Sequence, residues 1–305
     1  MSAAATGEAQ RIALGTAQFG LDYGITNEGG KVTPDEADAI LRLCSDAGVD
    51  TIDTAHLYGD SEEVLGRSLP GGAGFRIVTK TPKFGDMRSA TEAGNLLRRA
   101  LDESLRKLNR GSVDALLFHD ADDLLGPLGG PLWDVAEGLK RNGSAGKLGV
   151  SVYDAWQIDE LVDRLPLEVV QVPYNALDQR LVRGGQLAKL AGRGIEIHAR
   201  SIFLQGLLLQ APERIPEQLS PLRSAIADMG ERFRARGLSQ LEGLLAVAFR
   251  RSEISRFVVG VTSRAEMRAI LAAAEAARGA KEPVDLPAYD DVDARFLNPA
   301  NWAEA

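Results

Sequence analysis

Four side chains have the types and spacing to do acid–base chemistry on a single oxygen: Asp53, Tyr58, Lys80 and His119. Lys80 directly follows Ile77-Val78-Thr79. A lysine there is costly unless paired, because desolvation disfavours its charge. Asp53, at the end of the preceding strand-like run, is the available counter-ion. A tyrosine between the two feels the cation, which favours phenolate and lowers a pKa normally about 10. An acidified phenol is a proton donor. His119, after Leu116-Leu117-Phe118, completes a ring of polar groups around one reacting oxygen. Taken singly, each of these residues is more often a satisfied loop anchor than a catalyst. Their joint position at one end of three adjacent strands favours a general acid/base site, without naming the reaction. His56 shares the Tyr58 loop but has no independent support, and His198 reads as a core or wall residue.

Such a site needs strands to present it. The chain alternates short apolar or β-branched runs with longer segments of helical period. The runs are Ile12 to Leu14, Val49 to Thr54, Phe75 to Thr79, Val113 to Phe118, Leu148 to Val152, Glu168 to Val172, Ile195 to Ala199 and Arg256 to Val261. Thr33-Pro34-Asp35-Glu36 reads as a capping box opening a helix with Ala37, Ile40, Leu41, Cys44 and Ala47 on one face. That makes Cys44 a small buried hydrophobe. Ser263-Arg264-Ala265-Glu266 reads as a second capping box.

Regular β-α alternation requires right-handed crossovers and a parallel sheet. Eight units fit an α/β fold closed as a (β/α)8 TIM barrel, one domain over 1–305 with the barrel at 11–280. The turn Leu14-Gly15-Thr16-Ala17-Gln18-Phe19-Gly20 lacks the G-x-G-x-x-G spacing of a Rossmann domain. The span 199–240 exceeds one loop and helix and is expected to carry an extended loop over the mouth. The tail 286–305, with Phe296, Leu297, Pro299 and Trp302, is expected to pack outside or cap one end.

Composition bounds the partners. The chain is 45% hydrophobic and 26% charged with net charge −8, a globular balance that disfavours nucleic acid and anionic membrane surfaces. One cysteine allows no intrachain disulfide and no multi-cysteine metal site, and no metal is expected. No apolar run spans a bilayer, and the first ten residues lack the features of a secretion signal, so a cytoplasmic protein is expected.

Asp53-Thr54-Ala55, then Tyr58-Gly59, Ser61-Glu62 and Leu65-Gly66, resembles the signature of the aldo-keto reductase superfamily. Lys80 and His119 fall where that family carries its other two active-site residues. Leu148-Gly149-Val150-Ser151 and Gln171-Val172-Pro173-Tyr174-Asn175 extend the likeness, which runs from Leu14 to about Leu271. The opening Gly15 to Gly24 resembles a bacterial branch linked to sugar metabolism.

The resemblance implies a barrel that binds NADPH, or alternatively NADH, and reduces a small carbonyl compound by hydride transfer. In it Tyr58 is the general acid, Lys80 depresses its pKa, Asp53 holds Lys80, and His119 orients the carbonyl or assists proton transfer. Ser151 and Gln171 match residues that bond the nicotinamide carboxamide, and Ser201 and Gly206 lie in a loop folded over the pyrophosphate. Gly15, Thr16, Gly260 and Ser263 complete the implied cofactor set. Val152 replaces a common asparagine. Arg200 stands where an aromatic usually stacks on the nicotinamide, a role a guanidinium plane can keep. Glu266 either accepts from a ribose hydroxyl or merely partners Ser263 in its capping box, while Arg264 and Arg268 are close enough to serve a phosphate. Gln18, Tyr23 and Phe203 are expected to line the mouth. Trp133 either joins them or packs at a helix start. Two competing functions remain: a Schiff-base aldolase using Lys80, and a nucleotide-sensing barrel with little turnover, suggested by Val152, Arg200 and Glu266.

Overall fold

The computed structural model describes residues 8–69, 74–278 and 284–304. The expected barrel limit at residue 280 and most of the N-terminal segment read for a secretion signal lie outside them. Eight parallel strands pair in chain order: β1 (Ile12–Gly15), β2 (Thr51–Asp53), β3 (Arg76–Lys80), β4 (Val113–Phe118), β5 (Ala145–Ser151), β6 (Val169–Pro173), β7 (Glu196–Arg200) and β8 (Arg256–Gly260). β8 pairs back onto β1, which closes the barrel. A principal helix follows each strand: α1 (Pro34–Asp46), α2 (Ser61–Ser68), α3 (Ala90–Leu108), α4 (Gly129–Arg141), α5 (Ala155–Leu161), α6 (Gln186–Gly192), α7 (Gln240–Phe249) and α8 (Arg264–Arg278). This is the expected (β/α)8 TIM barrel.

Strands covered on both faces read as nearly continuous apolar runs, and in β4 only Asp114 is exposed. A small cluster of Val78, Ala115, Leu117 and Val169 is separate from the main core, which fills the space between strands and helices. β5 begins three residues before the apolar run, because Gly146 allows close approach to β4. A Cβ there would lie 2.8 Å from the Asp114 carbonyl oxygen.

In α1, the Thr33 hydroxyl accepts from the Glu36 N–H, and Ala37, Ile40, Leu41 and Cys44 are buried. Burial pushes the Cys44 thiol up to about 12, so it is a packing residue with no thiolate at neutral pH. Neither expected capping box closes on its own cap. The Glu36 carboxylate instead accepts from Arg264 Nε at 2.8 Å, and Glu266 accepts from the Thr262 N–H at 2.7 Å.

The span after β7 is not a simple loop. Ser201, Leu204, Gln205 and Gly206 have positive φ, after which 3-10 turns and a helix at Arg223–Ala235 pack beside α7. The first residues of the span meet the loop that follows β1, as does Arg214, which donates to Glu28 at 3.1 Å. There, Thr26 Oγ1 donates to the Gln205 carbonyl at 2.9 Å, and Gln205 Nε2 donates to Tyr23 Oη at 3.1 Å. In the tail, Phe296, Leu297 and Trp302 are buried, and the Trp302 indole donates to the Phe296 carbonyl.

The turn carrying Tyr58 is set by a close approach of backbones. Gly59 has φ +57°, and a Cβ on Gly20 would lie 1.8 Å from the Tyr58 carbonyl oxygen. Gly20→Ala therefore forces the two segments apart. The expected cost is about 1–3 kcal/mol, by analogy with overpacked cores, together with lower turnover as Tyr58 shifts. Thermal melts and steady-state kinetics on the one variant check both effects.

Candidate active site

Asp53, Lys80 and His119 stand at the ends of β2, β3 and β4, where a barrel places its chemistry. Lys80 is 1% exposed and Asp53 2%. The ammonium donates to Asp53 Oδ1 at 2.6 Å and to the Thr54 carbonyl at 2.9 Å. Tyr58 Oη lies 3.5 Å from Lys80 Nζ, at the outer limit of a hydrogen bond, and the ammonium sits 5.0 Å from the ring centroid. The His119 ring meets that of Tyr58 edge-on, with centroids 5.8 Å apart. The structure thus brings the four expected residues together.

Burial alone lowers the Lys80 pKa, but Asp53 and Tyr58 outweigh it, so the ammonium is held above its ordinary value. Burial raises the Tyr58 phenol, and the opposing pull of Lys80 does not cancel it. The expected net acidification of this phenol does not occur, because desolvation is the larger effect. Burial lowers His119 to about 4, aided by the Lys80 charge, so the imidazole is neutral at neutral pH. Its Nδ1 is buried without a hydrogen-bond partner among the described residues.

Several signature residues support the site from behind. The Thr16 hydroxyl and N–H both donate to the Asp53 carbonyl at 3.0 Å, and Ser61 Oγ donates to Thr16. Thr16 is fully buried, so its hydroxyl ties β1 to β2. Thr79 Oγ1 donates to Glu62 at 2.6 Å. A Cβ on Gly66 would lie 1.9 Å from the Lys107 carbonyl. His56 faces Ser104 at 3.4 Å. His198 pairs with Glu196 and lines a cavity of about 580 Å3 with Arg76 and Lys147, among residues at the strand starts.

Of the residues implied for a cofactor, Ser151 and Gln171 are buried on paired positions of β5 and β6. Gln171 Nε2 donates to Asp53 Oδ2 at 2.6 Å, which leaves its carbonyl oxygen for another partner. Arg200 Nη2 donates to the Val152 carbonyl at 2.9 Å, and the Tyr153 ring lies 4.0 Å from its guanidinium carbon. One stacking face of Arg200 is therefore taken by this chain. Ser201 is in the left-handed region, and Gly206 (φ +84°) packs against Thr26, where a Cβ would meet Oγ1 at 2.2 Å. Gly15 packs against β8, and Gly260 lies under the Gln18 amide. Ser263 accepts from the Glu266 N–H. Arg264 is engaged by Glu36, with Nη2 at 2.6 Å, so the expected free phosphate partner is already paired. Glu266 is held by Thr262, which favours its helix-start role.

Of the expected mouth residues, Tyr23 is exposed and close enough to Tyr58, Arg200 and Tyr153 to feel them electrostatically. Phe203 is 9% exposed and belongs to the core. Trp133 does not line the mouth: it is 4% exposed and stacked on Phe118, the packing alternative. Tyr153 and the tail residues near Arg200 carry no functional expectation from the sequence, and Glu36 carries only that of a capping box. Tyr153 has a usable signal, since it follows the end of β5 and a barrel carries its chemistry at strand ends.

Residues 11–284 match the aldo/keto reductase family. The chain belongs to that family. It is 25% identical over 261 residues to an L-galactose dehydrogenase of Arabidopsis thaliana, covering 80% of this chain and 79% of that one. It is 28% identical over 208 residues to an L-glyceraldehyde 3-phosphate reductase of Escherichia coli K12, covering 62% of this chain and 59% of that one. An aldo-keto reductase from Bacillus halodurans, in its holo form, shares the fold with a TM-score of 0.70 at 19% identity, covering 92% and 95% of the two chains. Membership supports carbonyl reduction in general and makes the protein an oxidoreductase by family. Members of the family use NAD(P)H. The hydroxyl, amide and guanidinium groups at the ends of β5 to β8 suit such a nucleotide. Among the described residues no helix is long and apolar enough to cross a membrane, and no cluster of ligands could hold a metal ion.

Proposed function

We propose that this protein reduces a small aldehyde or ketone, sugar-derived, with Tyr58 as the proton donor and NADPH or NADH as the reductant. The observation that carries this reading is the buried Asp53–Lys80 pair, at 2.6 Å, against the hydroxyl of Tyr58 at the open end of the barrel. The names of the Arabidopsis and Escherichia coli relatives support a sugar-like substrate. A bound reduced nicotinamide supplies the hydride, which the side chains cannot. Tyr58 gives its proton to the carbonyl oxygen, and the Lys80 ammonium stabilises the phenolate left behind. Asp53 keeps Lys80 charged and in place, and Gln171 holds the second Asp53 oxygen. His119, neutral at neutral pH, orients the carbonyl rather than delivering a proton.

Ser151, the Gln171 carbonyl oxygen, Arg200, Ser201, Gly206, Gly260 and Ser263 are the residues that would hold the cofactor. Arg264 would reach a 2′-phosphate only after leaving Glu36. A Schiff-base aldolase is disfavoured, because the nucleophile would be a neutral Lys80 and Asp53 keeps it protonated.

The test is oxidation of NADPH and NADH, followed spectrophotometrically, over a panel of aldehydes and sugars. Turnover is expected with at least one carbonyl class. Tight nucleotide binding without turnover would point to the sensing barrel instead. In the same assay Glu36→Gln frees Arg264 and is expected to favour NADPH over NADH by roughly two- to fivefold, the scale of an exposed ion pair. An unchanged ratio would remove Arg264 from the cofactor set.

A further inference from the structure

Beside the catalytic cluster a second cavity, of about 230 Å3, lies between the ends of β5 to β7 and the tail. Its wall carries the guanidinium groups of Arg180, Arg200 and Arg295 and the amides of Asn298 and Asn301. Against these donors stands one lining carboxylate, Asp154. The lining side chains thus have a formal charge of +2, in a chain whose net charge is −8.

Arg180 and Arg295 are braced by carboxylates, and for Arg180 these include the lining Asp154, whose Oδ1 lies 3.6 Å from Nη1. Buried Asp178 takes Nε and Nη2 of Arg180 at 2.8 and 3.0 Å. Asp293 takes Nε of Arg295 at 3.4 Å, and the Phe296 ring lies 4.6 Å from the same guanidinium carbon. Arg200 has no carboxylate within ion-pair distance among the described residues, and its partners are the Val152 carbonyl, Ser201 and the Tyr153 ring. Donors fixed in advance lose little freedom when a ligand arrives. Arg200 also acts electrostatically on Tyr58 and His119, which puts the cavity beside the reacting centre.

We propose that this cavity is the subsite for an anionic group, phosphate or carboxylate, carried by the carbonyl substrate. The proposal rests on the reductase reading and narrows its substrate class. The volume equals that of about eight liquid waters, taking roughly 30 Å3 each. That accepts a phosphate or carboxylate on a short stem and is too small for a dinucleotide. Of the residues implied for the cofactor only Arg200, assigned to the nicotinamide, is on this wall; Ser201, Gly206, Gly260, Ser263 and Arg264 are absent from it, so a cofactor phosphate is not its natural occupant.

The experiment compares matched substrates: glyceraldehyde against glyceraldehyde 3-phosphate, and butanal against succinic semialdehyde. The charged member of at least one pair is expected to have a kcat/KM about ten- to a hundredfold higher, mainly through KM, the scale of hydrogen bonds to a charged group. Which pair responds tells phosphate from carboxylate. Arg295→Met should erase about tenfold of that preference and Arg295→Lys restore part of it; Asn301→Leu serves if Arg295→Met fails to fold. In parallel, inorganic phosphate and succinate are titrated calorimetrically into the protein without nucleotide. Saturable binding of one, weakened by Arg295→Met, is expected.

If neutral aldehydes turn over and the charged ones do no better, the subsite is wrong and the reductase stands. If no carbonyl turns over while an anion binds through Arg295, the reductase reading falls and the substrate subsite falls with it, leaving an anion site of another kind. Absence of anion binding, or binding and preference indifferent to both variants, overturns the proposal.

Discussion

Tyr58→Phe is expected to lower carbonyl reduction by about 10²- to 10⁴-fold, the range for losing a positioned proton donor, while leaving nucleotide binding nearly intact. The substitution removes one oxygen. The ring keeps its edge-on contact with His119 and its place under the Lys80 ammonium. Lys80 keeps its two short hydrogen bonds, to Asp53 and Thr54, so neither fold nor charge distribution has cause to change. The loss therefore belongs in kcat. Tryptophan fluorescence titration with nucleotide and steady-state kinetics on the same preparation separate binding from chemistry. Full turnover in Tyr58→Phe would refute the assignment of the acid. Because the Tyr58 phenol lies above its ordinary value, it stays protonated across the neutral range, and no loss of activity there should trace to its ionisation. In the proposed mechanism Lys80 acts as the proton leaves, by stabilising the phenolate that burial makes costly.

The catalytic cluster was legible because its signal is local in a barrel. Each group sits at a strand end, and the fold converts that position into a shared rim. Asp53, Lys80 and His119 needed no knowledge of packing beyond strand order. What sequence could not supply was the balance of opposing effects. A cation beside Tyr58 implies a lower pKa, yet the depth of burial, a tertiary quantity, reverses the sign. The same limit explains Glu36 and Glu266. Both occupy the third helical position that predicts a capping box, but Arg264, 228 residues from Glu36, and Thr262 compete for their carboxylates. Trp133 shows the reverse case: of its two readings, lining the mouth or packing at a helix start, the structure gives the second. The tail carries only the expectation of packing outside or capping one end. Its Arg295, Asn298 and Asn301 recur every third residue, but their meaning appears only where they meet Arg180 and Arg200.

Lys80→Met tests whether the buried ion pair is structural as well as chemical. It removes the ammonium facing Asp53 Oδ1 and leaves a carboxylate that is 2% exposed with Gln171 on its other oxygen. Breaking a buried pair from one side costs about 3–5 kcal/mol, because an uncompensated charge stays behind. A fall of that size in urea-unfolding stability is expected. Adding Asp53→Asn should return most of it, since the neutral amide has no charge to strand, and the pair should be strongly non-additive in a double-mutant cycle. Activity should not return with stability, because the Tyr58 proton would still leave a phenolate with no cation beside it. Equal loss in the single and double variants would mean that Asp53 is satisfied without Lys80. Recovery of turnover in the double variant would mean that the ammonium acts only as a brace.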